Sequence, residues 1–446
     1  MTLRDCLGRR LLLLDGGTGT QLQARGLKAG ESPECWNLER REDLIAIHRS
    51  YYEAGADLVM TNTFGANRLK LHGCPYSVAE LVTAAVENLR AARDQAGHGW
   101  LGLDIGPTGR LLAPMGDLDF DEARAAFAET IQAGAAAGAD AVVIETMTDL
   151  YELKAAVLAA KESCSLPVLA TVAFSENGRL LTGGDPAALV ALLEGLGVDA
   201  LGLNCGAGPL QLSATVRAVV ELASVPVIFK PNAGLPHTSE CGCVHYDIDA
   251  DTFATAVAEE VRRGVWVAGG CCGTTPAHIA KLRDACAGIT PAALTPNPAV
   301  WLSSGSQAVD ARSLDLSALA PIAVPGDPDD LLDVDRGAEE GWEMYKGGFE
   351  DYLKWLSAAA PDLRKQTGTE CAGAIQRYSQ LTVTTESTPT EWTLTLGNFV
   401  DEGWLFFRAN EGTPGRVTGG ELTNLTGNLY LLKANADTIH IEKKGA

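Results

Sequence analysis

The chain has 446 residues, enough for two or three domains, and 46% of them are apolar, the proportion of a protein that buries a large core. It carries 57 Asp and Glu against 35 Lys and Arg, a formal charge of −22, which repels rather than attracts a nucleic acid. The apolar run Leu11–Leu14 is shorter than the ~7–15 residues of a signal-peptide core or the ~20 of a membrane span, so no membrane partner is expected and the expected location is the cytoplasm.

From the N-terminus, short apolar runs alternate with helical patterns. The runs are Leu11–Asp15, Asp57–Thr63, Trp100–Ile105, Ala141–Glu145, Val168–Ala173, Ala200–Asn204, Val227–Lys230 and Val265–Ala268. Continuous apolar runs of this length read as strands buried on both faces of a parallel sheet. Residues 41–55, 78–97, 121–138, 149–163 and 251–264 carry apolar positions at three- and four-residue spacing, with carboxylates near their starts and, in all but 149–163, a glycine end. Eight such units over about 290 residues predict an α/β fold of the (β/α)8 TIM-barrel type. A doubly wound open sheet is the rival, but Asp15-Gly-Gly-Thr-Gly-Thr does not fit its G-x-G-x-x-G phosphate loop.

The barrel is expected to occupy residues 1–290. Residues 291–341 read as an acidic, proline-rich linker: TPAALTPNP opens it, and ten carboxylates face two arginines between Asp310 and Glu343. Residues 342–446 read as a small α+β domain of unknown role. An amphipathic helix is expected at 342–360. Strands are expected in LTVTTES, EWTLTLG, WLFFRAN and TIHIEKK, with a turn at Asn-Glu-Gly-Thr-Pro-Gly. Trp342, Trp355, Trp392 and Trp404 are expected in its core.

Active sites of such barrels lie at the C-terminal ends of the strands. The polar residues closing the runs are therefore the candidates: Asp15, Asn62, Thr63, Asp104, Glu145, Asn204, Cys205, Asn232, Cys271 and Cys272. An odd count of eleven cysteines argues against a disulfide framework. Cys6, Cys35, Cys74, Cys164, Cys286 and Cys371 are scattered and read as small buried hydrophobes. Cys205 ends the sixth run in GLNCGAGP, and Cys271 and Cys272 follow the eighth in VAGGCCGTTP, so three thiols converge on one barrel mouth. Three thiolates suit a tetrahedral zinc ion with its fourth position open to substrate, and a thiol held there is deprotonated at neutral pH. The plainer reading of Cys271-Cys272 is two small residues in a tight glycine-rich loop. Cys241-Gly-Cys243, near His237 and His245, reads as a surface loop.

DGGTGT, EAGADLVMTNTFGANR, DIGPTG, VIETMTDLYELKAAVLAA, ALGLNCGAGP, PNAGLP and GGCCGTTPAHI occur in this order. With them the chain resembles the homocysteine S-methyltransferases, most nearly the homocysteine-binding module of cobalamin-dependent methionine synthases, over about residues 5–290. The resemblance implies one catalytic zinc on Cys205, Cys271 and Cys272, with the homocysteine sulfur as fourth ligand. It places Glu145 at the substrate ammonium, Asp15 with the backbone of Gly16 and Gly17 near the amino-acid head, and Asn232 beside the metal. Read as residues alone, Asp15 is also a turn cap, Glu145 a partner for a barrel lysine, and Asn62, Thr63 and Asp104 ties between strand ends.

The implied activity is methyl transfer to homocysteine, giving methionine. No cobalamin-binding Asp-x-His-x-x-Gly segment follows the barrel, so methylcobalamin or a methylated corrinoid protein supplied in trans is the expected donor. The alternatives are a sulfonium donor (S-methylmethionine or S-adenosylmethionine), as in stand-alone relatives, another thiol acceptor, or a non-catalytic zinc-binding scaffold.

Overall fold

The computed structural model describes residues 2–294, 301–303, 307–310, 381–400, 403–409 and 412–444, apart from Ala29, His72, Gly73, Pro114 and 239–243. The acidic linker from 311 on, the helix expected at 342–360 with Trp342 and Trp355, Cys371 and the Cys241/Cys243 loop lie outside the described residues. By contacts the chain divides into two units, Met1–Arg312 and Ser313–Ala446.

The first unit is the predicted barrel. Its strands are β1 (Leu12–Leu13), β2 (Leu58–Met60), β3 (Trp100–Ile105), β4 (Ala141–Met147), β5 (Val168–Val172), β6 (Ala200–Asn204), β7 (Val227–Lys230) and β8 (Val265–Ala268). All pair in parallel, from β2 in sequence to β7, then β8, then β1. A single parallel bridge, Leu14 to Leu58, joins the ends and nearly closes the ring. Helices α1 (Arg41–Ala54), α2 (Val78–Ala96), α3 (Phe120–Ala137), α4 (Leu150–Ser163), α5 (Pro186–Gly195), α6 (Ser213–Leu222), α7 (Ala250–Arg263) and α8 (Pro276–Ala285) alternate with the strands.

Local chemistry explains the helix bounds. Ser77 and Glu80 form a capping box at the start of α2, and Asp119 and Asp185 cap α3 and α5. Gly55, Gly97 and Gly138 end α1, α2 and α3 in the left-handed conformation. Helices α5, α6 and α8, which the sequence reading did not predict, are short, and α5 is apolar nearly all round, which hides the 3.6-residue period.

Alternate strand residues divide the core. Leu12, Leu14, Leu58, Met60, Val143, Leu169, Ile228 and Val267 belong to one apolar cluster, and the helix Leu3–Cys6 adds Leu3 and Cys6 to it. Arg4 anchors that helix to Asp199 at 2.6 Å. A second cluster lies between strands and helices. Each fully buried leucine or valine contributes about 1.5–3 kcal/mol.

A repeat governs the N-terminal end of the barrel. In Gly55-Ala56-Asp57, Gly138-Ala139-Asp140 and Gly197-Val198-Asp199 the chain turns out of a helix at glycine and enters the next strand. Each Asp carboxylate accepts the backbone N–H of the preceding strand: Asp57 from Leu13 at 2.8 Å, Asp140 from Leu101 at 2.8 Å, Asp199 from Val168 at 2.9 Å. Each Asp N–H donates back to the same residue's carbonyl.

The described part of the second unit is all β. Thr382–Ser387, Glu391–Gly397, Thr438–Lys444 and Thr413–Thr418 form one antiparallel sheet in that order, and Gly403–Arg408, Leu429–Ala434 and Gly420–Thr426 form another. Trp392 is buried in its core, edge to face with Phe407 at 5.3 Å, together with Leu394, Leu432, Ile439 and Ile441. The turn expected at 410–415 is overturned in part: Thr413 and Pro414 already pair with Lys444 and Lys443, and the irregularity that proline brings is absorbed between Pro414 and Val417.

Candidate metal and substrate site

The three cysteines meet at the C-terminal mouth of the barrel. Their sulfurs all lie within 4.8 Å of one another, and Cys205 to Cys272 is 4.0 Å. A tetrahedron with metal–sulfur bonds of about 2.3 Å has sulfurs roughly 3.8 Å apart, so the donor set fits a metal ion of that kind. Among the described residues this is the one such cluster.

The backbone aims the thiols. Cys205 leaves β6 at φ 56°, a left-handed conformation that a cysteine adopts only under constraint. Its N–H donates to the Lys230 carbonyl, that of Cys271 to Pro231, and that of Ala233 to the Cys272 carbonyl. Glycine is required twice around the pair. Gly273 sits at φ +81°, where a Cβ would come 2.2 Å from the Tyr246 ring, and a Cβ on Gly17 would come 2.7 Å from the Cys271 carbonyl oxygen.

Crowding three thiols separates their protonation. Hydrogen bonds from Cys271 and Cys272 hold Cys205 down at about 3, against burial. The same hydrogen bonding to Cys205 pushes Cys272 up to about 11 and raises Cys271 further. Cys205 is thereby the first of the three thiols to ionise, and Asn232 and Tyr246 stand beside Cys205 and Cys272.

A cavity of about 270 Å³ opens beside the sulfurs. Gly16, Gly17, Thr18, Thr20, Pro33, Glu34, Asn62, Phe64, Asp104, Glu145, Lys230 and the three cysteines line it. At its floor the Lys230 ammonium lies 3.1 Å from Glu145 and 3.4 Å from Asp15. The other Asp15 oxygen accepts the Met60 N–H at 2.9 Å. Asp15 is fully buried and sits beneath the cavity wall rather than on it. Burial pushes its carboxyl up to about 6, against the pull of Lys230. Burial also raises Asp104, helped by the charge of Glu145. Burial opposes the charge on Lys230, but Glu145 and Asp15 outweigh it and keep the ammonium protonated. Asp104 and Asn232 each leave one buried oxygen without a hydrogen-bond partner among the described residues.

Not every candidate faces the cavity in the same way. Asn62 donates to the Pro33 carbonyl at 2.7 Å, and Thr63 shares a hydrogen bond with Thr61 and donates to the Asp104 carbonyl at 2.7 Å, so both knit strand ends. Asp104 does more than that, because its carboxylate faces the cavity. Asn204 links the two ends of the site. Its oxygen accepts the Thr146 N–H at 2.8 Å, and its amide donates to the Thr146 hydroxyl at 2.7 Å and reaches the Cys271 sulfur at 3.8 Å. That grip holds Thr146 at φ 62°, strained for a β-branched residue.

Sequence reasoning missed the roles of four residues. Lys230 read as the polar end of an apolar strand, although a lone lysine closing a buried run was a signal. Tyr246 comes from the hairpin Pro236–Thr238 and Val244–Tyr246 after β7, and nothing in its neighbourhood singled it out. Cys35 and Cys74, read as separate buried hydrophobes, are half-exposed with their sulfurs 3.3 Å apart. Among the described residues no helix is long and apolar enough to cross a membrane.

A family model described as homocysteine S-methyltransferase matches residues 12–286, and one for an uncharacterised protein conserved in bacteria matches residues 326–431. The methionine synthases of Mycobacterium tuberculosis and Mycobacterium leprae are 37% identical over 309 residues and 36% over 306, each match covering 64% of this chain and 25% of the relative. The chain thus spans about a quarter of the length of these curated relatives. Among solved structures, the metallated form of the homocysteine methyltransferase MmuM from Escherichia coli is 26% identical with a TM-score of 0.50, covering 62% of this chain and 96% of that one.

The last match corrects the expected donor. Nearly the whole of MmuM corresponds to the barrel, so a homocysteine methyltransferase can consist of the barrel alone, and the likeness to a quarter of a methionine synthase brings no donor with it. Methylcobalamin as donor and a corrinoid protein as partner are not supported. With a matching model over more than half its length and a three-cysteine site able to hold a metal, the chain belongs to the homocysteine S-methyltransferase family.

Proposed function

We propose that the chain moves a methyl group from a sulfonium compound, such as S-methylmethionine or S-adenosylmethionine, to the thiol of homocysteine, giving methionine, with zinc held by Cys205, Cys271 and Cys272. The carrying observation is a single small cavity with three thiols at one end and an excess of carboxylate at the other. Three sulfur donors with an open fourth position favour zinc over harder cations. When bound, the metal supplies a Lewis acid that holds a substrate thiol deprotonated at neutral pH.

The rest of the chemistry belongs to the chain. Asn232 stands beside Cys205 and Tyr246 beside Cys272, where they can orient those sulfurs. Asp15, Asp104 and Glu145 face one lysine, so the floor accommodates a further cation, and the ammonium of an amino acid supplies it. Gly16 and Gly17 line the cavity beside this floor, on the side where the amino-acid head of the substrate would lie. In the transfer the donor's sulfur–methyl bond breaks, leaving a neutral sulfide, while a bond forms from methyl to homocysteine sulfur; the thiol proton passes to solvent. A charge of −22 steers cationic sulfonium donors toward the protein.

The test uses the zinc-loaded full chain with homocysteine and, in separate arms, S-methylmethionine and S-adenosylmethionine. Methionine is expected in at least one arm. No methionine above the metal-free control in either would overturn the reading.

A further inference from the structure

Two thiols outside the metal cluster lie in contact. Cys35 closes the 3₁₀ turn Pro33–Cys35, and Cys74 lies in the segment leading to Ser77, the cap of α2. Their sulfurs are 3.3 Å apart, against about 2.05 Å in a disulfide, so a movement of little more than 1 Å joins them. Both residues are half-exposed, which admits a small reagent. They are not members of any metal-ligand cluster of three among the described residues.

The turn they flank is part of the substrate cavity. Pro33 and Glu34 line it. The Pro33 carbonyl accepts the Asn62 amide at 2.7 Å, and Glu34 accepts the Gly65 N–H at 2.7 Å. Beyond the sulfurs, Tyr76 donates to Glu39 at 3.3 Å, a second tie between the same two segments.

We propose that Cys35 and Cys74 form a reversible disulfide, a redox modification site separate from the three metal-facing cysteines, which pins the cavity wall at Pro33 and Glu34 to the start of α2. The oxidant is a low-molecular-weight disulfide. The Cys74 thiolate attacks one of its sulfurs and releases one small thiol; the Cys35 sulfur, giving up its proton, then attacks Cys74 and releases the second. Two protein thiols are oxidised and one small disulfide is reduced to two thiols. Burial and its hydrogen bond with Cys74 push the Cys35 thiol up to about 11. The link closes a long stretch of chain, so it restricts the unfolded state and stabilises the fold.

The zinc-loaded full chain is incubated with glutathione disulfide, free thiols are alkylated, and the peptides are mapped by mass spectrometry. A peptide linking Cys35 to Cys74 is expected. With it come a rise of several degrees in Tm reversed by dithiothreitol, and slowed amide exchange at residues 34–37. Both Cys35→Ser and Cys74→Ser should lose the rise, so a folding defect in one leaves the other to decide. Alkylation of both cysteines after oxidation, a link to Cys205, Cys271 or Cys272 instead, or unchanged exchange at residues 34–37 would overturn the proposal.

Discussion

At the N-terminal end of the barrel Asp57, Asp140 and Asp199 each clasp the preceding strand through a carboxylate oxygen and a backbone N–H. At the C-terminal end Asp15, Asp104 and Glu145 crowd around one ammonium, Asp104 keeps a buried oxygen without a partner among the described residues, and two non-glycine residues are held at positive φ. The same side chain does different work at the two ends. Where a carboxylate meets a strand's free N–H it stabilises the fold; where carboxylates outnumber cations the fold bears a cost that a bound ammonium offsets.

Substitutions at the two ends should part company accordingly. The largest effect is expected for Lys230→Met, which strands three carboxylates at the cavity floor and should lower stability by about 3–5 kcal/mol in urea unfolding. A loss below about 1 kcal/mol would mean that those carboxylates are already protonated. Cys272→Ser should cut metal affinity by more than about 100-fold, beyond the 10–100-fold of an outer-sphere loss, read by competition with a chelating dye.

The outer helical layer holds a third kind of ionisable group. His48 in α1 is fully buried, and neither ring nitrogen has a partner among the described residues. Burial lowers it to about 4. It is therefore neutral in the folded state and takes up a proton on unfolding. Its contribution is present above the unfolded value of about 6.5 and is lost as pH falls from there through 4, a decline of about 3 kcal/mol. His48→Gln should flatten that part of the stability–pH profile; an unaltered slope would assign the acid sensitivity elsewhere.

Smaller changes give the sharpest contrast. Asp140→Ala leaves the Leu101 N–H without its carboxylate and should cost about 1–3 kcal/mol in stability while the KM for homocysteine holds. Asp104→Asn should do the reverse, keeping or raising Tm while the KM rises about tenfold, near 1.4 kcal/mol. Equal behaviour of the two variants would erase the distinction between the ends.

Much of this was legible along the chain. Buried parallel strands are continuous apolar runs, so the bounds of β3, β6, β7 and β8 match the sequence reading residue for residue. The helices with acidic starts and glycine ends were equally plain, whereas α5, α6 and α8 were too short or too uniformly apolar to show a period. In the second unit Thr382–Ser387, Glu391–Gly397, Gly403–Arg408 and Thr438–Lys444 were legible as β-patterned runs, while Thr413–Thr418 was hidden by Pro414 and Gly415.

For the site, the eightfold alternation assigns every residue that closes a strand to one mouth. That was enough to bring Cys205, Cys271 and Cys272 together across 67 residues. What those residues do to one another follows from the folded arrangement. Lys230 meets Asp15 across 215 positions and Glu145 across 85. Cys35 meets Cys74 across 39, and Asp104 retains a free oxygen while Thr63 does not. Such relations depend on side-chain direction and on how the ring closes, and neither leaves a periodic trace in the chain.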